Sequence, residues 1–179
     1  AAAEFSCYCS DVTRTFPVGA RFSPLQRDVY SLVLTAQKEA IAMIRPGVRF
    51  DDVHMRATEI LVDGLRGFGL LSGETKEIIE KGEHRKFYMH RTSHWLGMDV
   101  HDVGAYKIGD ESRLLEPGMI LTVEPGIYIA EDAEDVSDQF RGIGIRIEDD
   151  VLVTVGGHEV LTKAIPKEMD EIEALRKGA

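Results

Sequence analysis

The chain keeps its helix-like and strand-like sequence in separate blocks, and that separation limits the folds open to it. From Leu25 to Ile44 the apolar residues Leu25, Val29, Leu32, Val33, Ala36, Ala40 and Met43 recur at helical spacing. Ser23-Pro24 reads as an N-cap followed by proline in the first turn, and Arg45-Pro46-Gly47 ends the run. A second helix is expected from about Phe50 to Phe68, with Val53, Ala57, Ile60, Leu61, Gly64 and Leu65 on one face. A short charged helix is expected over 73–82 and an amphipathic one over 167–175. Residues 4–9 and 11–18 look extended, and after Phe87 the texture changes to short apolar runs between Gly and Pro. MILTVEPGIYIA (119–130) and GIGIRIEDDVLVTVGG (142–157) are the strongest strand candidates. A polar surface loop, 131–139, lies between them, and Gly156-Gly157 marks a turn. Helices grouped apart from antiparallel-looking strands predict an α+β fold, not a doubly wound parallel sheet. No glycine-rich phosphate loop follows a strand, so nucleotide chemistry has no support.

With 179 residues and no linker or low-complexity stretch, the chain fits one domain able to bury a sizeable core. The formal charge of −10 argues against general affinity for nucleic acid or anionic membranes, and no apolar run approaches membrane-spanning length. Cys7 and Cys9, two apart on an expected strand, would form a strained disulfide, so they are read as free thiols of a reducing, cytoplasmic compartment. The N-terminus lacks the order of a signal peptide and also lacks an initiator Met. It begins inside an extended pattern, so the chain is expected to be a piece of something longer.

Four stretches place ionisable groups inside otherwise apolar sequence. YCSDVTRTFPV (8–18) holds Asp11, SHWLGMDVHDVG (93–104) holds His94 and His101, LTVEPG (121–126) holds Glu124, and RIEDD (146–150) holds Glu148, Asp149 and Asp150. Singly each has an ordinary reading: a solvated strand carboxylate, a packed histidine, a turn glutamate, a strand running out into solvent. His90 and His94 have the spacing of a helical zinc pair, but Thr92-Ser93 and the nearby glycines oppose a helix there. Together the stretches are more telling, because a carboxylate on an apolar strand is costly to bury unless it is paired or binds a metal. By strand alternation Glu148 shares a face with Arg146 and Gly144, opposite Ile143, Ile145 and Ile147. Carboxylates with one imidazole and no thiolate form a hard donor set suited to Mn, Co, Fe or Zn in a hydrolytic role. Two cations sharing such ligands about 3.5–4 Å apart would fit it.

The series SDVTRTFPV, HRTSHWLGMDVHDVG, LEPGMILTVEPGIYI and RGIGIRIEDDVLVT closely resembles the catalytic domain of the aminopeptidase P (Xaa-Pro aminopeptidase) family, in order and over essentially the whole chain. The resemblance implies the pita-bread fold shared with prolidase, methionine aminopeptidase and creatinase. Here that would be mainly its second half, a curved antiparallel sheet with two long helices packed on one face. Residues 1–179 would then form a catalytic metallopeptidase domain truncated at its N-terminal side.

Carried over motif by motif, the resemblance implies that Asp11 bridges two divalent cations, most naturally Mn2+, with Co2+, Zn2+ or Fe2+ as alternatives. His94, Glu124 and Glu148 complete the ligands present. The family's fifth ligand, an aspartate eleven positions before the bridging one, would fall just ahead of Ala1. Glu124 would also act as general base, His101 would stabilise the tetrahedral intermediate, and His90 would hold the substrate near its proline. Tyr128 and Arg146 would orient the site and bind substrate beside His90 and His101. Arg91 stands where the related pattern often has glycine. The implied reaction releases the N-terminal residue from peptides with proline second, by a protein expected to be homo-oligomeric at full length. A prolidase-type dipeptidase is the enzymatic alternative, and a non-catalytic fragment that binds a peptide or partner is the other.

Overall fold

The computed structural model describes residues 1–177. Helix α1 (Pro24–Met43) starts where the sequence indicates, with Ser23 and Gln26 exchanging hydrogen bonds of 3.2 and 2.9 Å in a reciprocal cap. Helix α2 (Phe50–Gly67) packs along it. The two come close at Gly64, where a Cβ would lie 2.2 Å from Leu32 Cδ2, so a larger residue would push Leu32 aside. A short helix α3 (Thr75–Lys81) packs on α2, and α4 (Met169–Lys177) closes the described chain, starting two residues later than expected.

Strands β1 (Ala2–Phe5) and β2 (Tyr8–Asp11) form a hairpin whose turn residues, Ser6 and Cys7, have φ of 52° and 67°. Cys7 therefore sits in a turn and not on a strand, and both cysteines are free thiols. The expected strand over 11–18 stops at Asp11. Beyond it Thr15 Oγ1 occupies the N–H and C=O of Arg146 at 3.1 and 2.9 Å, so a side chain replaces the ladder. Strands β3 (Lys107–Ile108) and β4 (Glu111–Ser112) make a minimal hairpin. The two long strand candidates each divide, into β5 (Ile120–Val123) with β6 (Gly126–Tyr128) and β7 (Gly144–Arg146) with β8 (Asp149–Thr154). Strand β9 (Gly157–Val160) returns along β8. All pairings are antiparallel, and the architecture is the expected α+β arrangement.

The division of those strands has a physical cause. On either side of the break the register is the same, with Val123 opposite Asp149 and Gly126 opposite Arg146. Glu124 consequently stands opposite Glu148, and Pro125, which has no N–H, opposite Ile147. The N–H groups of both glutamates point outward, to Thr92 O at 2.8 Å and Thr13 O at 3.1 Å. That makes them a non-hydrogen-bonded pair, the arrangement that brings facing side chains closest.

One side of this four-strand unit carries Leu121, Val123, Ile127, Ile145, Ile147, Val151 and Val153, all buried. The first half of α1 (Val29, Tyr30, Val33) packs with Ile127, Ile145 and Ile147, and its second half (Ala40, Ile41), together with the capping residue Ile44, packs with Leu121, Val123, Val151 and Val153. The strand break lies where these two apolar clusters meet. The opposite side carries Thr122, Glu124, Tyr128, Arg146, Glu148 and Asp150, and it forms the floor of the site.

Candidate metal centre

Four extended segments lie side by side, and each contributes one candidate ligand. Residues 92–96 run beside β5, with Thr122 N–H on His94 O at 3.0 Å and Leu96 N–H on Ile120 O at 3.1 Å. Residues 11–13 run beside 148–150, with Asp11 N–H on Asp150 Oδ2 at 3.1 Å and Glu148 N–H on Thr13 O at 3.1 Å. His94 and Asp11 thus flank the Glu124–Glu148 pair. One donor atom each of Asp11, His94 and Glu148 falls within 4.8 Å of the others. His94 Nε2 lies 3.4 Å from Glu124 Oε1 and 3.7 Å from Asp11 Oδ2. Groups separated by up to 137 positions in the chain converge on one point.

The electrostatics of this point fit a cation. His94 Nδ1 lies 3.0 Å from the carbonyl oxygen of Trp95, which can only accept, so Nδ1 carries the proton. Nε2 is left facing two carboxylates, a position from which its lone pair could join them in holding a cation. The glutamates are buried, at 8% exposure for Glu124 and 2% for Glu148. Burial first, then mutual carboxylate repulsion, pushes Glu148 above the ordinary range, and burial with the charge of Asp11 pushes Glu124 up against the pull of Arg146. Asp150 is pushed up to about 7, by burial and then by Glu148 and Asp11, and its Oδ1 is buried without a hydrogen-bond partner. Like charges directly opposite in a sheet are destabilising by themselves. The oxygen-rich donor set with one imidazole suits a hard or borderline divalent ion.

Glu148, Asp149 and Asp150 do not run out into solvent, as one ordinary reading of RIEDD would have it. All three are buried under the 11–15 segment or α1.

A cleft of about 530 Å³ opens over the floor, lined by His90, His94, His101, Tyr106, Glu124 and Arg146, with Arg91 and Ser93 at its edge. Arg146 reaches over Gly126 to Glu124 Oε2 at 3.1 Å. His90 Nε2 is 2.8 Å from the Tyr128 hydroxyl, and His90 Nδ1 is 2.8 Å from Arg91 O. The carbonyl fixes the proton on Nδ1, so neutral Nε2 accepts from Tyr128. Burial lowers His90 and raises Tyr128, which favours this neutral arrangement. His101 stacks edge-on against His94, ring centroids 4.4 Å apart. Arg91 is held outward by Asp51 and the Phe50 ring.

Three residues outside the expected ligand and substrate set also shape the site. Thr13 donates to Glu148 Oε2 at 2.5 Å, and Asp150 receives the Asp11 N–H. His54, from α2, faces Thr92 just ahead of His94, with Nδ1 2.8 Å from the hydroxyl and 3.2 Å from the N–H. Thr13 and Asp150 lie inside motifs that already attract notice. Nothing in the sequence around His54 marks it.

The sequence matches the family model described as Metallopeptidase family M24 over residues 1–155. The Xaa-Pro aminopeptidase of Escherichia coli strain K12 is 50% identical over 179 residues, spanning 100% of this chain and 40% of that protein. That of Haemophilus influenzae is 51% identical over 175 residues, 98% of this chain and 40% of that protein. Among solved structures, aminopeptidase PepP of Pseudomonas aeruginosa superposes with a TM-score of 0.95 at 53% identity, over 98% of this chain and 40% of that one. The architecture is therefore part of a pita-bread fold, as the motifs imply. The chain spans about 40% of the length of the curated relatives it matches.

Proposed function

The chain belongs to metallopeptidase family M24, and from that membership we propose that residues 1–179 supply the catalytic part of an Xaa-Pro aminopeptidase. The observation that carries the reading is the convergence of one donor from each of four adjacent segments, with His94 Nε2 facing two carboxylates. Asp11, His94, Glu124 and Glu148 would hold divalent metal, two ions in the whole protein with Asp11 and Glu148 shared, and Mn2+ suits their oxygen-rich set. When bound, such ions supply Lewis acidity and a water of lowered pKa.

The chain's own groups account for the rest. The peptide with proline second would lie in the cleft between His90 and His101. Glu124, held on Oε2 by Arg146 and pushed above the ordinary carboxylate range by burial, would take a proton and return it to the leaving amine. His101, beside His94, would donate toward the carbonyl oxygen as charge develops on it. The neutral His90–Tyr128 pair would present an apolar ring face to the proline and orient the scissile bond. Arg146 ties Glu124 to the Tyr128 ring, 5.8 Å from its centroid, and thereby couples the base to the substrate wall. The free thiols favour a reducing, cytoplasmic setting, and a homo-oligomer remains the expectation for the whole protein.

The test is a Mn2+-supplemented assay of the whole protein on an Xaa-Pro-Xaa tripeptide beside an Xaa-Pro dipeptide. Release of the first residue from the tripeptide, lost by more than about 10³-fold in Glu124→Ala, is expected. Turnover of the dipeptide alone would establish a prolidase instead. Turnover of neither, with an intact fold, would leave a peptide-binding fragment.

A further inference from the structure

Behind the metal centre, on the α1 side of the sheet, one carboxylate stands among apolar side chains. Asp149 has 0% exposure and alternates out of phase with Glu148 and Asp150, so it points away from the site. Four donors meet it. Arg14 and Thr162 each reach Oδ1 at 2.7 Å, while Gln37 and Lys167 reach Oδ2 at 2.7 and 2.5 Å. Gln37 comes from the middle of α1, between the two apolar clusters, where it too is fully buried.

Arg14 has its guanidinium completely used. Besides Asp149, its five N–H groups serve Pro166 O at 2.9 Å, Ile165 O at 2.9 Å, Thr13 O at 3.1 Å and Glu148 O at 2.5 Å. The last two are backbone atoms of the segments that carry Asp11 and Glu148. One nitrogen therefore joins the two segments directly beneath the candidate ligands, and the buried carboxylate fixes where that nitrogen sits.

We propose that Arg14 and Asp149 are positioning residues of the metal centre, a clamp that sets the spacing between Asp11 and Glu148. The proposal rests on the metal reading given above. A buried ion pair is a poor source of net stability, since desolvation offsets its attraction, but it specifies geometry well. Only arginine offers five donors in a fixed planar fork, and a lysine at this position could not hold both backbone segments and the carboxylate. Groups that orient ligands in this way commonly change metal affinity by about 10–100-fold when altered.

The experiment uses the whole protein as wild type, Arg14→Lys and Asp149→Asn, with circular dichroism to confirm that each is folded. Two quantities are read: amide hydrogen exchange at Asp11 and Glu148 without metal, and Mn2+ affinity by calorimetry. Arg14→Lys is expected to speed exchange at those two amides by about tenfold or more while α1 and α2 amides stay protected. It is also expected to weaken Mn2+ binding by about 10–100-fold. Asp149→Asn, which keeps the size and one acceptor oxygen, should move both quantities in the same direction and serves if Arg14→Lys does not fold. Unchanged exchange at Asp11 and Glu148, or loosening spread evenly over the whole fold, overturns the clamp. A wild-type whole protein that fails to bind Mn2+ refutes the metal reading, and the exchange comparison still decides the clamp.

Discussion

Acidification should destabilise this chain through His54. The ring nitrogen Nδ1 faces both the N–H and the hydroxyl of Thr92, and the Tyr88 hydroxyl lies 2.5 Å from that same Thr92 oxygen. A nitrogen aimed at an N–H must accept, so protonating the ring at Nδ1 would set donor against donor. Burial first, and then the charge of Arg91, lower His54 from 6.5 to about 4. The unfolded ring protonates near 6.5 and the folded ring does not, so stability is complete above that pH and falls as pH drops toward 4. Each unit in that window corresponds to about 1.4 kcal/mol, so going from 6.5 to 5 costs about 2 kcal/mol. Partial exposure of the ring trims this to about 1–2 kcal/mol. The assay is urea unfolding followed by the fluorescence of Trp95, in chelator, at pH 7.5 and pH 5. The comparison is with His54→Asn, whose amide oxygen can accept from Thr92 but does not titrate. Wild type should lose about 1–2 kcal/mol more than the variant between the two pH values, a difference of roughly half a molar in midpoint. Carboxylate titrations contribute equally to both proteins and cancel. Parallel loss in both would refute the assignment of His54 as a neutral acceptor buttressing the Thr92–His94 segment.

Gly126→Ala should destabilise the chain by about 1–3 kcal/mol, because its Cβ would lie 2.6 Å from the Tyr128 hydroxyl and 2.9 Å from Ile145 O. Thermal unfolding measures that loss, and a shift of the His90 ring signals in NMR would report displacement of Tyr128. Mn2+ at about 100 times its Kd should stabilise the wild-type chain by about 2.7 kcal/mol. His94→Ala should abolish that gain, and equal stabilisation of the two by thermal shift would exclude His94 as a ligand. Asp149→Ala, which leaves the half-buried Arg14 and Lys167 without their fully buried counter-ion, should cost up to about 3 kcal/mol by urea unfolding. A loss under about 1 kcal/mol would mean that the site opens to water instead.

Much of this protein is legible in its sequence because the signals are local. Helical periodicity with a Ser-Pro start marks α1, a second apolar stripe marks α2, and Ile/Val runs mark the strands around Glu124 and Glu148. The same runs mark the acidic residues as anomalous, since burying a carboxylate on an apolar strand demands a partner. Where the strands stop is a different matter. Residues 119–130 and 142–157 read as continuous, and Pro125 hints at the first break, but the second, at Ile147-Glu148, follows only from the register that sets Ile147 opposite that proline, which has no N–H to return. The strand expected over 11–18 likewise ends at Asp11 because Thr15 substitutes a hydroxyl for the ladder. Asp149 reads as one more acid in an acidic run, yet it alone of the three turns into the core to meet Gln37, Lys167 and Arg14. Residue identity and spacing determined which elements form and which groups are chemically costly. Only the tertiary structure decided which of those groups share a point in space, because register between distant segments is set by outward N–H groups and by whole-sheet packing on α1, neither of which any local stretch of sequence contains.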